Sequence, residues 1–379
     1  VTGVKKIKVY HFILDHRVGG PHVYVDTLRH ALADRVESVL VTTGHGPMTE
    51  RSLINLRHLW SPLYAVELLL NALWLVFAVL LGRIQRRGVV FNVHGGANLA
   101  PLMAARVTGI PVVWHIHETT TSFRRFVNLG RRVMHGGRHA IAVVAERSRE
   151  IYELESAEFL PASVDTSFWT RKAVSDEACS ACGWLEAGEA KPQRAFRLLA
   201  VGNLNPLKGQ DVLLEALAGL DGAWHLQIVG AELATHKEFA DALRRRAHAL
   251  MAANKLTRVD FLGWQDREKV RALLASCDLF VLPSRSEACP IALLEAIAMG
   301  CRCVSADVGD SKIMLQKSSM ARLFVTGSSD GCLKKMREMR ALCEEISPIS
   351  EDSTGNAWKL SSVANKTLDL YEFLAKKQL

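Results

Sequence analysis

Twice along this chain, short runs rich in branched and aromatic residues alternate with helical stretches, and no other feature constrains the fold as strongly. The first series comprises KIKVYHFIL (6–14), VESVLVTT (36–43), VVFNVH (89–94), PVVWHIH (111–117) and AIAVV (140–144). A glycine pair, Gly19 and Gly20, and the helical VYVDTLRHALA (23–33) follow its first strand. The second series runs through FRLLAVG (196–202), HLQIVG (225–230), RVDFLG (258–263), DLFVLP (278–283) and CRCVSA (301–306). Strands separated by helices pair in parallel through right-handed crossovers, so each series predicts a Rossmann-like α/β domain. A length of 379 residues, more than one hydrophobic core usually sustains, agrees with two domains. The weakly periodic stretch 171–195 is the expected junction. Domains are thus predicted at 1–172 and 173–357, with the helical 358–379 packing back on the first. Ligands of parallel sheets bind beyond the carboxyl ends of the strands, so the site is sought in those loops, facing a shared cleft.

Two segments in such loops carry chemistry. In PSRSEACPIALLEAIAMG (283–300), Glu287 precedes a proline-started apolar helix and Glu295 lies inside it. Pro290 fits the first helical position, where a missing N–H costs nothing. The amides of Ala288, Cys289, Ile291 and Ala292 would then point at an anion with the helix dipole behind them. A carboxylate accepts two hydrogen bonds from a vicinal diol, so one of the two acids would hold sugar hydroxyls and the other a ribose. Flanked by ALL and AIAM, Glu295 is poorly explained as a solvent-facing acid. In VGNLNPLKG (201–209) a strand ends in glycine and asparagine turns that deliver Lys208 at a helix start, where a lysine can clamp a diphosphate. Neither a G-x-G-x-x-G helix opening nor a P-loop occurs, which disfavours dehydrogenase and kinase-like readings.

Charge and apolar patterning point to a partner. Residues 1–172 carry 21 Lys and Arg against 13 Asp and Glu, while the remainder balances, so the net charge of +8 lies wholly in the first part. Basic runs at 83–88, 123–126 and 131–139 suit an anionic partner such as membrane phospholipid or a phosphate-bearing acceptor. Nucleic acid is not expected, since that half has no recognition helix or aromatic platform. The stretch LWSPLYAVELLLNALWLVFAVLL (59–81) is long enough to span a bilayer, yet Glu67 and Asn71 interrupt it. A helix partly in the core and peripheral to a membrane fits better than a plain core helix or a span. The eight cysteines form no disulfide or zinc pattern, Cys179 and Cys182 lacking a second pair and Cys301 and Cys303 reading as core thiols. With no cleavable signal pattern, the expected location is cytoplasmic, at the inner face of a membrane. His115 and His117 share a strand face, but no further cluster completes a metal site and no D-x-D motif occurs, so no metal is expected.

At these positions the chain resembles the retaining glycosyltransferases of family 4, the "group 1" transferases with the GT-B fold. PSRSEACPIALLEAIAMG is similar to that family's E-x7-E signature, and VGNLNPLKGQDVLLEAL to its phosphate-binding segment. HRVGGPHVYVDTLRHAL resembles its N-terminal glycine loop, GIPVVWHIHE its histidine-bearing strand end, and PASVDTSFW (161–169) the approach to its interdomain link. The resemblance implies an α/β protein of two Rossmann-like domains with parallel sheets facing an interdomain cleft. It implies transfer of a sugar from a nucleotide-diphosphate sugar to a hydroxyl of a glycan or lipid-linked acceptor, with retention and no cofactor, in bacterial-type glycan or glycolipid assembly. It assigns Glu287 to the donor sugar and its developing charge, Glu295 to the ribose and Lys208 to the diphosphate. Gly20 would let backbone approach phosphate or acceptor, His117 would lie near the reacting centre, and Gly263 and Trp264 would set main-chain groups against the base. Asn203 stands where the family often has arginine, with Arg17 or Arg285 as candidates to compensate. Ala288 and Cys289 replace the usual glycine and aromatic. A non-catalytic or epimerase-like nucleotide-sugar-binding protein of the same fold is the alternative.

Overall fold

The computed structural model describes residues 6–14, 20–44, 49–54, 62–84, 88–184, 195–220, 222–253, 258–316, 318–345 and 355–376. Arg17, Gly19, residues 59–61 of the apolar stretch and residues 185–194 of the expected junction lie outside them. The chain divides into two compact units, one of residues 1–163 with 360–379 and one of 164–359. The first boundary therefore falls at Ser163/Val164 rather than at 172/173. Val164 explains the shift: its N–H donates to the Trp358 carbonyl at 2.9 Å, tying 164 to the end of the second unit.

In the first unit, seven parallel strands are described: β1 (Ile7–Ile13), β2 (Val36–Thr43), β3 (Arg51–Leu53), β4 (Val89–His94), β5 (Val112–Ile116), β6 (His139–Val143) and β7 (Glu158–Phe159). Their order is β3-β2-β1-β4-β5-β6-β7. β4 and β5 are buried at every residue, as central strands covered on both faces must be. That is why VVFNVH and PVVWHIH read as near-continuous apolar runs. Trp114 locks a helix onto β5: a Cβ on Gly130, in the helix Arg124–Met134, would fall 2.2 Å from its ring. The helix Leu360–Lys376 belongs to this unit, where Tyr371 is fully buried and accepts from the Asn92 amide.

The second unit has six parallel strands: β8 (Phe196–Val201), β9 (Trp224–Val229), β10 (Arg258–Gly263), β11 (Leu279–Leu282), β12 (Cys303–Ala306) and β13 (Ala321–Phe324). They run β10-β9-β8-β11-β12-β13, the doubly wound arrangement in which direction reverses after the third strand. All eight cysteines are free, Cys301 and Cys303 lying buried as core thiols. Each unit thus reverses its strand order once, between β1 and β4 and between β8 and β11.

Candidate active site

β8 and β11 are neighbours where the strand order reverses, and parallel sheets of this kind bind ligands beyond the carboxyl ends of such strands. Asn205 turns the first loop: its Oδ1 accepts from the N–H groups of Leu207 at 3.0 Å and Lys208 at 3.2 Å, closing one 3-10 turn. Gly209 follows at φ 65°, where a Cβ would lie 2.1 Å from the Pro283 carbonyl oxygen. That close approach sets Lys208 over the loop after β11. Its Nζ stands 2.6 Å from Glu287 Oε1, and Ser284 Oγ donates to the same oxygen at 2.8 Å. The Glu287 side chain is only 12% exposed, so the pair is largely out of water. From beyond the loop, Gly309 at φ 51° presses on the same backbone, a Cβ there meeting the Ala288 carbonyl oxygen at 2.1 Å. The Asp310 N–H donates to that oxygen at 3.0 Å.

Pro290 caps the next helix rather than starting it: its ψ of 99° is extended, and the helix runs Ile291–Ala298. Its carbonyl receives the Leu293 and Leu294 N–H groups, while those of Ile291 and Ala292 meet no acceptor among the described residues. Ala288, Cys289 and Ile291 are all half-buried around this positive end. One turn in, burial raises the Glu295 carboxyl to about 8, with Arg267 pulling it down. This shift favours the neutral acid of Glu295, which can donate one hydrogen bond as well as accept.

Other expected residues are placed differently. Asn203 turns inward: its Oδ1 accepts from the Ala231 N–H at 3.0 Å, bracing the loops after β8 and β9. Arg285 forks onto Asp211 with two contacts of 2.7 Å and donates to the Pro206 carbonyl, so it does not supply the missing cation. Gly263 takes φ 67° and gives its carbonyl to the Gly230 N–H at 2.8 Å. Trp264 beside it stands 72% exposed.

The first unit has a polar cluster at its own reversal point. His11 of β1, His94 of β4 and His115 of β5 stack across neighbouring strands, with ring centres 5.8 Å and 4.9 Å apart. His117, just past β5, meets His94 Nδ1 through its Nε2 at 3.0 Å. Tyr24 closes the group, its ring 5.5–5.9 Å from those of His94, His115 and His117. Burial lowers all four imidazoles, His117 to about 4 and His11 to about 3, so the cluster is neutral at pH 7. Both His115 ring nitrogens lack a hydrogen-bond partner among the described residues. His94, which the sequence reading passed over, supplies the third imidazole that HIHE lacked: ring nitrogens of His94, His115 and His117 lie within 4.8 Å of one another. The His94 and His115 rings lie within 24° of parallel. Glu118, also missed, accepts twice from the Gly96 N–H and fixes the loop after β4. Gly20 opens the helix Gly20–Ala31 with nothing among the described residues within 4 Å of where a Cβ would stand.

Residues 195–349 match the family model described as "Glycosyl transferases group 1". The D-inositol 3-phosphate glycosyltransferase of Nocardia farcinica is 32% identical over 179 residues, 45% of this chain and 37% of that protein. Its counterpart in Mycolicibacterium smegmatis is 36% identical over 109 residues, 29% of this chain and 24% of that protein. The chain thus spans well under half the length of these curated relatives. Solved structures extend the likeness in shape to almost the whole chain. Anabaena Alr3699/HepE in complex with UDP and glucose superposes with a TM-score of 0.77 at 15% identity, over 97% of this chain and 100% of that one. A glycosyltransferase from Rickettsia africae gives 0.77 at 14% identity, over 98% and 100%. Two doubly wound parallel sheets in one chain are what the solved structures share with it; the fold is GT-B, and residues 195–349 are similar to the group 1 glycosyl transferases.

Proposed function

We propose that the protein is a retaining glycosyltransferase that moves a sugar from a nucleotide-diphosphate sugar to an acceptor hydroxyl. The observation that carries this reading is the Lys208–Glu287 pair, 2.6 Å apart at the reversal point of the second unit and next to the start of the helix Ile291–Ala298. Cation, carboxylate and unpaired amides in one partly desolvated place match the charges that develop when a glycosyl diphosphate breaks apart. That Alr3699/HepE was solved with UDP and with UDP-glucose supports a donor of this class.

The bond between the anomeric carbon and the phosphate oxygen breaks with both electrons leaving on the diphosphate. Lys208 and the amides of Ile291 and Ala292 stabilise that negative charge in place. Glu287, freed from part of its contact with Lys208, faces the positive sugar ring. The acceptor oxygen bonds to the anomeric carbon on the face the diphosphate leaves, and its proton passes to the departing phosphate oxygen. Both Lys208 and the helix start are fixed positive groups, so the scheme places no metal on the diphosphate. Neutral Glu295 exchanges hydrogen bonds with the ribose diol. On the resemblance, the first unit receives the acceptor, and His117, uncharged, contributes hydrogen bonding rather than charge.

A panel of nucleotide-diphosphate sugars, scored by release of free nucleotide diphosphate, tests the proposal. One donor should turn over, and Glu287→Gln should lower its turnover about 10²-fold or more while leaving donor affinity within a few fold, as for loss of a charge used mainly in the transition state. Tight binding without release would favour the non-catalytic alternative. No binding of any donor would remove both.

A further inference from the structure

The helix Pro62–Leu80 is apolar on both sides, yet only one side is covered. Tyr64, Ala72, Leu75 and Val79 are buried, and Asn71 on the same side holds both the N–H and the carbonyl of Ile54 at 2.9 Å. At helical spacing on the opposite side, Leu69, Leu73, Phe77 and Leu80 are 52%, 56%, 61% and 62% exposed, with Trp74 beside them. A soluble surface rarely displays such a continuous apolar row without a use for it.

The sequence through and after this row is strongly basic. Between Pro62 and His139 the sequence holds nine arginines and two acids, Glu67 and Glu118. Both acids turn inward, Glu67 being buried and Glu118 engaged by the Gly96 N–H. The Tyr64 ring meets the Phe126 ring edge-on at 6.0 Å, which seats the apolar helix beside the helix Arg124–Met134. Arg125, Arg131 and Arg132 are exposed on that neighbour, and Arg83 is exposed past the other end of the apolar helix.

We propose that this face is an interfacial membrane site, with the helix lying flat on an anionic bilayer. The exposed row enters the boundary between headgroups and acyl chains, and the arginines meet lipid phosphates. A spanning arrangement conflicts with Glu67 and Asn71 on the packed side, which would have to leave the fold for hydrocarbon. A second copy of the chain would bring the same arginines against one another, like charge on like charge. An anionic lipid surface satisfies both halves of the pattern at once, and this inference does not depend on the transfer reaction.

Flotation of the full chain with vesicles of phosphatidylcholine, with and without phosphatidylglycerol, tests it. The chain should float with the anionic vesicles and at least tenfold less with neutral ones, and 0.5 M salt should weaken the anionic binding. Leu73→Glu with Phe77→Glu should abolish flotation, and Arg131→Gln with Arg132→Gln should reduce it severalfold. All four positions are exposed, so thermal unfolding should match the parent and separate lost binding from lost folding. Absence of flotation, or flotation indifferent to lipid charge or to the paired glutamates, overturns the proposal. A dimer in sedimentation velocity that Leu73→Glu with Phe77→Glu dissolves assigns the face to a second copy and also overturns it.

Discussion

The two units build the same crevice and fill it with opposite chemistry. Each winds a parallel sheet outward from a reversal point, and each sets its polar side chains there. In the first unit these are imidazoles that burial holds neutral, stacked on one another. In the second they are a lysine and a glutamate in contact, beside a helix start with free amides. Topology therefore decides where a ligand can sit, while burial and partner charge decide which ligand it can be. A diphosphate finds compensation in the second crevice and none among neutral histidines in the first.

Three experiments bear on this contrast, the first with the largest expected effect. Gly209 and Gly20 both adjoin the ends of first strands in their units, but only Gly209 combines a φ of 65° with a carbonyl 2.1 Å from a would-be Cβ. Gly209→Val should destabilise the second unit by about 3 kcal/mol or more in calorimetric unfolding, through strain and clash together. Gly20→Ala, in a helix with open space around it, should leave stability unchanged or raise it by about 0.5–1 kcal/mol. Equal losses in both would show that the loop after β8 is not held by that contact. Next, Lys208→Ala should weaken nucleoside diphosphate binding about 10–100-fold by titration calorimetry, a change of about 1.4–2.7 kcal/mol. His94→Asn should alter it by less than about twofold, and a matching loss there would break the comparison.

The third experiment concerns Glu295. Its folded carboxyl titrates at about 8, above its unfolded value, so the neutral acid stabilises the fold below the unfolded value. That contribution fades as pH rises from about 4.5 towards 8 and is lost above it. Glu295→Gln removes the titration and should flatten the dependence. At pH 9 the variant should unfold at a higher temperature than the parent, and at pH 5 the two should be close. Identical pH profiles would show that Glu295 is not desolvated as described.

The sequence carried ten of the thirteen described strands and their grouping into two sheets, because those rest on local period; the edge strands β3, β7 and β13, two to four residues long, are too short to show one. Side-chain direction was not legible in the same way. Asn203 stood in the right loop, but its use on the Ala231 N–H depends on where β9 ends, 28 residues away. Nothing local marked Lys208 and Glu287 as an ion pair, since they lie 79 residues apart and meet through the approach of Gly209 to Pro283. His94 was hidden for a related reason: VVFNVH reads as a plain strand until β4 is paired with β5, which sets His94 against His115. The protonation of Glu295 follows from burial, which no spacing encodes.

The pairing of Asn92 with Tyr371 joins residues 279 positions apart, while the unit between them closes on its own segment, 164–359. During synthesis the later unit can therefore finish before the earlier one, which must wait for the helix Leu360–Lys376, made only after all of 164–359. Trimming that helix would harm the half of the molecule that was made first.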